Sequence, residues 1–95
     1  MFEVHPGTIL KEELEARQMS GNALALALRI NSGRVSEILN EKRGISPDTA
    51  LRLGRYFGND AQFWLSLQSA YDLAIAAREH GDQIAREVIP AQSAA

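Results

Sequence analysis

Ninety-five residues, 45% of them apolar, suffice for one compact core and are too few for a second domain. The lack of cysteine removes disulfides and thiolate metal sites and fits a reducing compartment, with the cytoplasm the simplest location. Met1-Phe2-Glu3-Val4-His5-Pro6 has no basic stretch followed by an apolar run, and no window approaches the roughly 18 apolar residues that cross a bilayer, so neither export nor membrane insertion is expected. The net charge of −2 conceals a pattern: residues 1–19 carry −2, residues 20–58 carry +3, and residues 59–95 carry −3. A basic middle between acidic flanks suits an approach to phosphates, but an imbalance of this size also arises from scattered solvated charge, so the motifs must decide.

Capping and stop signals divide the chain into five helices, with no period-2 strand between turn residues, and the class expected is all-α. The first helix starts near Pro6, which suits an initial helical turn, presents Ile9, Leu10 and Leu14 inward, and ends near Gln18. Ser20 caps the second, with Met19 as a hydrophobic staple against Leu24, and the helix covers about Gly21 to Arg29. The third follows Asn31 or Ser32 as cap, carries Val35, Ile38 and Leu39 at helical spacing, and stops near Asn40. Glu41-Lys42-Arg43-Gly44 is a polar connection. Ser46, Pro47 and Asp48 open the fourth helix, which buries Ala50, Leu53, Gly54 and Phe57 and ends at Gly58. The fifth runs from about Asp60 to His80, with Phe63, Trp64, Leu67, Tyr71, Ala74 and Ile75 inward and Gly81 as terminator. The organisation expected is a domain over residues 1–80 and a tail over 81–95, whose small-residue end, Ala91-Gln92-Ser93-Ala94-Ala95, is expected to be mobile.

Two helices of two to three turns joined through Arg29-Ile30-Asn31 must cross sharply, at roughly 90–120° in a helix-turn-helix. Small Ala25 suits their close approach, Leu24 and Leu28 line the second helix, Ile30 fills the turn, and Val35 and Ile38 anchor the third. A generic helical hairpin explains this periodicity almost as well. The polar face separates the two. Ser32, Gly33, Arg34, Ser36, Glu37 and Asn40 point away from the apolar stripe and combine small residues, which allow backbone to approach bases, with an arginine able to bind guanine O6 and N7. The base-reading candidates are Ser32, Gly33, Arg34 and Glu37, with Glu37 alternatively holding a neighbouring cation. Ser20, Asn22, Ser36, Asn40, Lys42 and Arg43 are placed for phosphates.

Five runs carry a resemblance: His5-Pro6-Gly7-Thr8-Ile9-Leu10-Lys11-Glu12-Glu13-Leu14, Asn22-Ala23-Leu24-Ala25, Arg34-Val35-Ser36-Glu37-Ile38-Leu39-Asn40, Thr49-Ala50-Leu51-Arg52-Leu53 and Phe63-Trp64-Leu65-Ser66-Leu67-Gln68. Together, over about residues 5–75, they resemble the HigA-type antitoxins of the XRE, or lambda-repressor-like, helix-turn-helix class. The resemblance implies a five-helix domain that dimerises, binds double-stranded operator DNA, represses its own operon and neutralises a RelE-like toxin, HigB, which cuts messenger RNA. It places Ser32, Gly33, Arg34 and Glu37 at the bases. Two positions depart from the pattern. Arg29 stands where such turns often carry Gly, which implies either that the turn avoids a left-handed residue or that it is slightly strained. Gly21 stands where related repressors often place a DNA-contacting Gln.

Other chemistry lacks its parts. His5 and His80 are far apart and have no carboxylate pair, and no phosphate-cradling glycine loop or nucleophile with a base is present, so no enzyme, metal or cofactor is expected. Trp64 and Phe63 read as core. Leu65, Tyr71, Leu73 and Ile75 on the fifth helix are the dimerisation candidates, because its apolar residues exceed what one buried face holds. The acidic flanks could steer a basic toxin. The competing functions are a stand-alone repressor with no toxin and a protein-only interaction module that has lost DNA binding, the latter distinguished by absent or salt-independent DNA affinity.

Overall fold

A computed structural model describes residues 4–92. Its regular structure is five helices in chain order: α1 Pro6–Ala16, α2 Gly21–Leu28, α3 Ser32–Leu39, α4 Pro47–Phe57 and α5 Ala61–Glu87. Residues 93–95, part of the expected mobile tail, lie outside the described residues.

Four of the five helix starts are closed by a side-chain cap, the exception being α5, where Asp60 makes no cap bond. Ser20 Oγ accepts from Ala23 N at 3.0 Å, Asn31 Oδ1 from Gly33 N at 2.6 Å, and Ser46 Oγ from Thr49 N at 3.3 Å, each taking up an amide that has no partner inside its helix. At α1 the cap is His5, a role with no local signal in the sequence. Its Nδ1 accepts from Gly7 N at 2.9 Å, its ring is buried, and it meets Tyr71 edge-on at 4.9 Å. A Cβ on Gly7 would lie 2.0 Å from the Ile38 carbonyl oxygen, so glycine is what lets α1 begin directly on the last turn of α3.

Arg29 resolves the two expectations for the turn. It adopts the left-handed conformation (φ 60°, ψ 43°), which costs a non-glycine residue about 1–2 kcal/mol. That conformation brings Ile30 N to Ala25 O at 3.1 Å, closing α2 in a Schellman-like end while Ile30 folds back onto the core. Three residues, as expected, separate α2 from α3.

The core contains Leu10 and Leu14 of α1, Leu24, Ala25 and Leu28 of α2, Val35 and Ile38 of α3, Ile45, Ala50 and Leu53, and Trp64 of α5. Trp64 is fully buried and donates Nε1–H to Asn59 Oδ1 at 2.9 Å, which satisfies the polar edge of the largest core side chain. Phe63 does not join it. One residue is 100° of helix, so with Trp64 inward Phe63 turns outward, 45% exposed, and packs edge-on against the indole.

α5 is longer than expected. Gly81 does not terminate it, and the helix continues to Glu87. A helical glycine costs about 1 kcal/mol relative to alanine, too little to break a helix flanked by Ala76-Ala77-Arg78-Glu79 and Gln83-Ile84-Ala85-Arg86-Glu87. Pro90 supplies the stop by disfavouring helical backbone at Ile89. No helix of the described residues is long and apolar enough to cross a membrane.

Candidate nucleic-acid interface

α2 and α3 present their exposed ends side by side. Between them lies a groove of about 340 Å³. Ser20 and Asn22 line it from the start of α2, Ser32, Ser36 and Asn40 from α3, and Lys11 from α1. The fold thus gathers four of the six phosphate candidates and one base-reading candidate around a single concave surface. Lys11 is an addition. Its signal in the sequence was only that of a helix-surface cation, and the packing of α1 against α3 is what brings it to this rim. Gly21 also lines the groove, where a Cβ would come within 3.1 Å of Leu39 Cδ1, so the position favours close helix contact over a longer polar side chain.

The remaining candidates occupy the two ends of α3. Gly33, next to the groove-lining Ser32, is exposed at its first turn. Lys42 and Arg43 are exposed beyond its last, with Lys42 N bonded to Glu37 O at 2.8 Å. Glu37 takes the alternative role that the sequence allowed: its carboxylate accepts from Arg43 at 3.3 and 3.5 Å. Both partners are nearly half exposed, so this ion pair orients more than it stabilises.

Arg34 is the most constrained of these residues. Its Nε donates to Thr49 Oγ1 at 3.0 Å, and its Nη2 reaches Asp48 Oδ2 at 2.9 Å, Ser46 Oγ at 3.4 Å and Thr49 Oγ1. Asp48 Oδ2 also accepts from Arg52 Nε at 2.9 Å, and Arg52 Nη1 donates to Leu28 O at the end of α2. One polar chain therefore ties α3 to the N-terminus of α4 and the C-terminus of α2. The Arg52 guanidinium first, then that of Arg34, holds the Asp48 carboxyl below its ordinary value of 3.8. The sequence placed Arg34 on a free polar face, and this cross-helix network, fifteen residues away in sequence, had no local signal.

On α5, Leu65 rests against the core and Tyr71 is half-buried against His5, so both are engaged within the chain. Ile75 is half-buried, whereas Leu73 is 70% exposed. Leu73 follows Trp64 by nine residues, about two and a half helical turns, and so faces the opposite side of α5. That outer side carries Ser66, Ala70, Leu73, Ala77, His80 and Ile84, all exposed, at alternating spacings of four and three. This is the period of a helix-pairing seam. Among the described residues no group of three or more His, Cys, Asp or Glu is placed to hold a metal ion.

Five helices with α2 and α3 joined by a three-residue turn, and a groove along that pair bordered by Ser20, Asn22, Ser32, Ser36 and Asn40 around Leu39, define a helix-turn-helix protein. No protein-family model matches the chain. Known proteins do. Virulence-associated protein I of Dichelobacter nodosus is 52% identical over 91 residues, which are 95% of this chain and 82% of that protein. Among solved structures, an addiction module antidote protein of the HigA family from Coxiella burnetii is 49% identical, with a TM-score of 0.93 over 96% of this chain and all of that one. The Pseudomonas aeruginosa antitoxin HigA, solved with the higBA promoter, is 48% identical with the same TM-score and the same coverage. The chain belongs to the HigA family of helix-turn-helix antitoxins.

Proposed function

We propose that the protein is the antitoxin of a type II toxin–antitoxin pair, a homodimer that binds operator DNA, represses its own operon and neutralises a basic, RelE-like, mRNA-cleaving toxin of the HigB kind. The observation that carries this reading is similarity over 96% of the chain to an antitoxin solved with the higBA promoter, combined with a groove on the α2–α3 pair bordered by hydrogen-bonding side chains. α3 enters the major groove, with Ser32, Gly33, Arg34 and Glu37 toward base edges. Ser20, Asn22, Ser36, Asn40, Lys42 and Arg43 meet phosphates on either side and set the register. For Arg34 the role is demanding, because bidentate contact with guanine O6 and N7 through its Nε and Nη2 edge requires the Thr49 and Asp48 bonds to be exchanged for the base. Neither a cofactor nor a metal enters this reading.

Dimerisation is assigned to α5. Within the set Leu65, Tyr71, Leu73 and Ile75, Leu73 supplies the exposed apolar contact, and the outer seam through Ala70, Ala77 and Ile84 extends it. Two copies related by a two-fold axis suit inverted half-sites about one helical turn of DNA apart, roughly 34 Å or a multiple of it. The acidic flanks offer a basic toxin long-range attraction, which acts mainly on association rate.

The test is to recover the tagged protein from its native cell at low salt and identify what accompanies it by mass spectrometry and DNA sequencing. A stoichiometric small basic protein released only by denaturant, together with DNA from upstream of the gene, is the expected result. DNA with no protein partner would make the chain a stand-alone repressor. Protein without DNA would make it an interaction module.

A further inference from the structure

The connection from α3 to α4 carries Lys42 and Arg43, and its two ends are fastened to different helices. The first part is tied to α3: Glu41, in a left-handed conformation (φ 61°), donates its N–H to Ile38 O at 3.0 Å, and Lys42 N reaches Glu37 O at 2.8 Å. The second part is tied to α5. Ile45, its side chain buried, donates its N–H to the side-chain Oε1 of Gln68 at 2.7 Å. The connection also lies flat on that same amide, since a Cβ on Gly44 would stand 2.9 Å from the Gln68 amide atoms. The Gln68 Nε2 is taken up by Asp72 Oδ1 at 2.9 Å, one turn further along α5, which leaves the carbonyl side to face the connection. Lys42 and Arg43 are thus the two side chains bracketed between an anchor on α3 and an anchor on α5.

We propose that Gln68 is a positioning residue for DNA-backbone binding, holding the Lys42–Arg43 segment at the height where its cations meet phosphates. This rests on the assignment of Lys42 and Arg43 to phosphates made above. Phosphate contacts set register, and a segment ordered before binding loses less conformational entropy on docking than a loose one. Without the Gln68 amide, Ile45 N–H loses its acceptor, and beyond its α3 end the segment is held only by the buried Ile45 side chain, with no bond to α5 to set the height of its backbone. The same amide places α5, the helix assigned to dimerisation, in direct bonded contact with the part of the chain that carries these two cations.

The test is a double-mutant comparison on the full-length protein, using two duplexes: DNA from immediately upstream of its own coding sequence, and an unrelated sequence of equal length. Dissociation constants are measured over a salt series for wild type, Gln68→Ala, the pair Lys42→Ala with Arg43→Ala, and the triple variant. Gln68→Ala is expected to weaken binding to both duplexes about tenfold and to lower the salt slope by about one. Its effect should vanish in the background that already lacks both cations. Combining Gln68→Glu with Asp72→Asn keeps an acceptor toward Ile45 and restores a donor beside it, and is expected to recover wild-type affinity. If Gln68→Ala unfolds the chain, Gln68→Met replaces it, because it keeps the length of the side chain and offers Ile45 N–H no oxygen acceptor. Amide exchange at Ile45 should quicken in either single variant while the other core amides stay protected.

Wild-type binding by the Gln68 variant, alongside a loss in the Lys42/Arg43 pair, overturns the proposal and leaves the phosphate assignment standing. A Gln68 loss that simply adds to that of the Lys42/Arg43 pair also overturns it, since it would then be a general effect on the fold. If the Lys42/Arg43 pair itself binds as wild type, the phosphate assignment falls and the proposal falls with it.

Discussion

At the scale of single residues, two arginines and one carboxylate join α3, already anchored by Val35 and Ile38, to α4 and α2. Asp48 accepts from both Arg34 and Arg52, and their guanidiniums depress its carboxyl below the ordinary 3.8. A carboxylate whose folded-state value is lowered stabilises the fold above its ordinary value, and that contribution is lost as pH falls through the depressed one. Melting temperature measured from neutral pH into acid should therefore fall less steeply below about pH 4 in Asp48→Asn than in wild type. The side chain is exposed, so the difference is expected to be small and to shrink with added salt. Arg34→Ala removes the α3 end of the same network. It is expected to lower operator affinity and to relax sequence preference at one position in each half-site, read by binding to a library of single-base operator variants. Wild-type affinity would remove Arg34 from the reading face. A uniform loss across all variants would make it a strut between α3 and α4.

At the scale of elements, α5 decides most. Its first half packs Trp64 and Ala74 inward against the domain, while the side carrying Leu73 and Ile84 is bare along the helix. Placing a charge at the centre of such a seam removes apolar burial and adds a desolvation cost. If α5 forms the proposed dimer interface, Leu73→Asp combined with Ile84→Asp is expected to give a folded monomer by sedimentation equilibrium where wild type gives a dimer, with helix content retained, because neither side chain contributes to the core. Operator affinity should fall with it, since each half-site would then be bound singly. An unchanged dimer would move the interface to another surface. The shorter elements obey local chemistry more closely: Ser46 and Pro47 open α4 and Gly58, at φ 77°, closes it.

At the scale of the whole molecule, a net charge of −2 coexists with a proposed DNA-binding surface to which Lys11 on the groove and the exposed Lys42 and Arg43 beyond the end of α3 bring cations. Binding then depends on local potential and not on total charge, and it should be strongly salt-dependent. If Lys42 and Arg43 of both protomers neutralise phosphates, the logarithm of the affinity should fall against the logarithm of salt with a slope of about −4. A slope near zero would leave the basic middle as solvated surface and remove the physical basis for DNA binding. The elongated α5 gives the chain its 54 × 26 × 22 Å extents and carries the proposed pairing seam along the long dimension.

What the sequence determined by itself is whatever depends on neighbours a few positions apart. Ser20, Ser46 and Gly58 mark helix ends through bonds that span three or four residues, Pro47 does so through its fixed φ, and the spacing of Val35, Ile38 and Leu39 sets the buried face of α3 through helical geometry alone. These signals were sufficient for five helices, for the short turn and for the polar face. They misjudged Phe63 and Gly81, because which of two adjacent aromatics enters the core, and whether a weak glycine ends a helix, are settled by the balance of packing and flanking propensity. Only the tertiary structure could decide that His5 caps α1 beneath Tyr71, that Lys11 joins the rim of the groove, that Arg34 is held by Asp48 and Thr49, and that Gln68 clamps Ile45. Of these, the Arg34 and Gln68 bonds join residues 14 to 23 positions apart, and the His5 and Lys11 placements depend on α1 packing against α3 and α5. Their geometry exists once the helices have packed and has no counterpart in any local window of the chain.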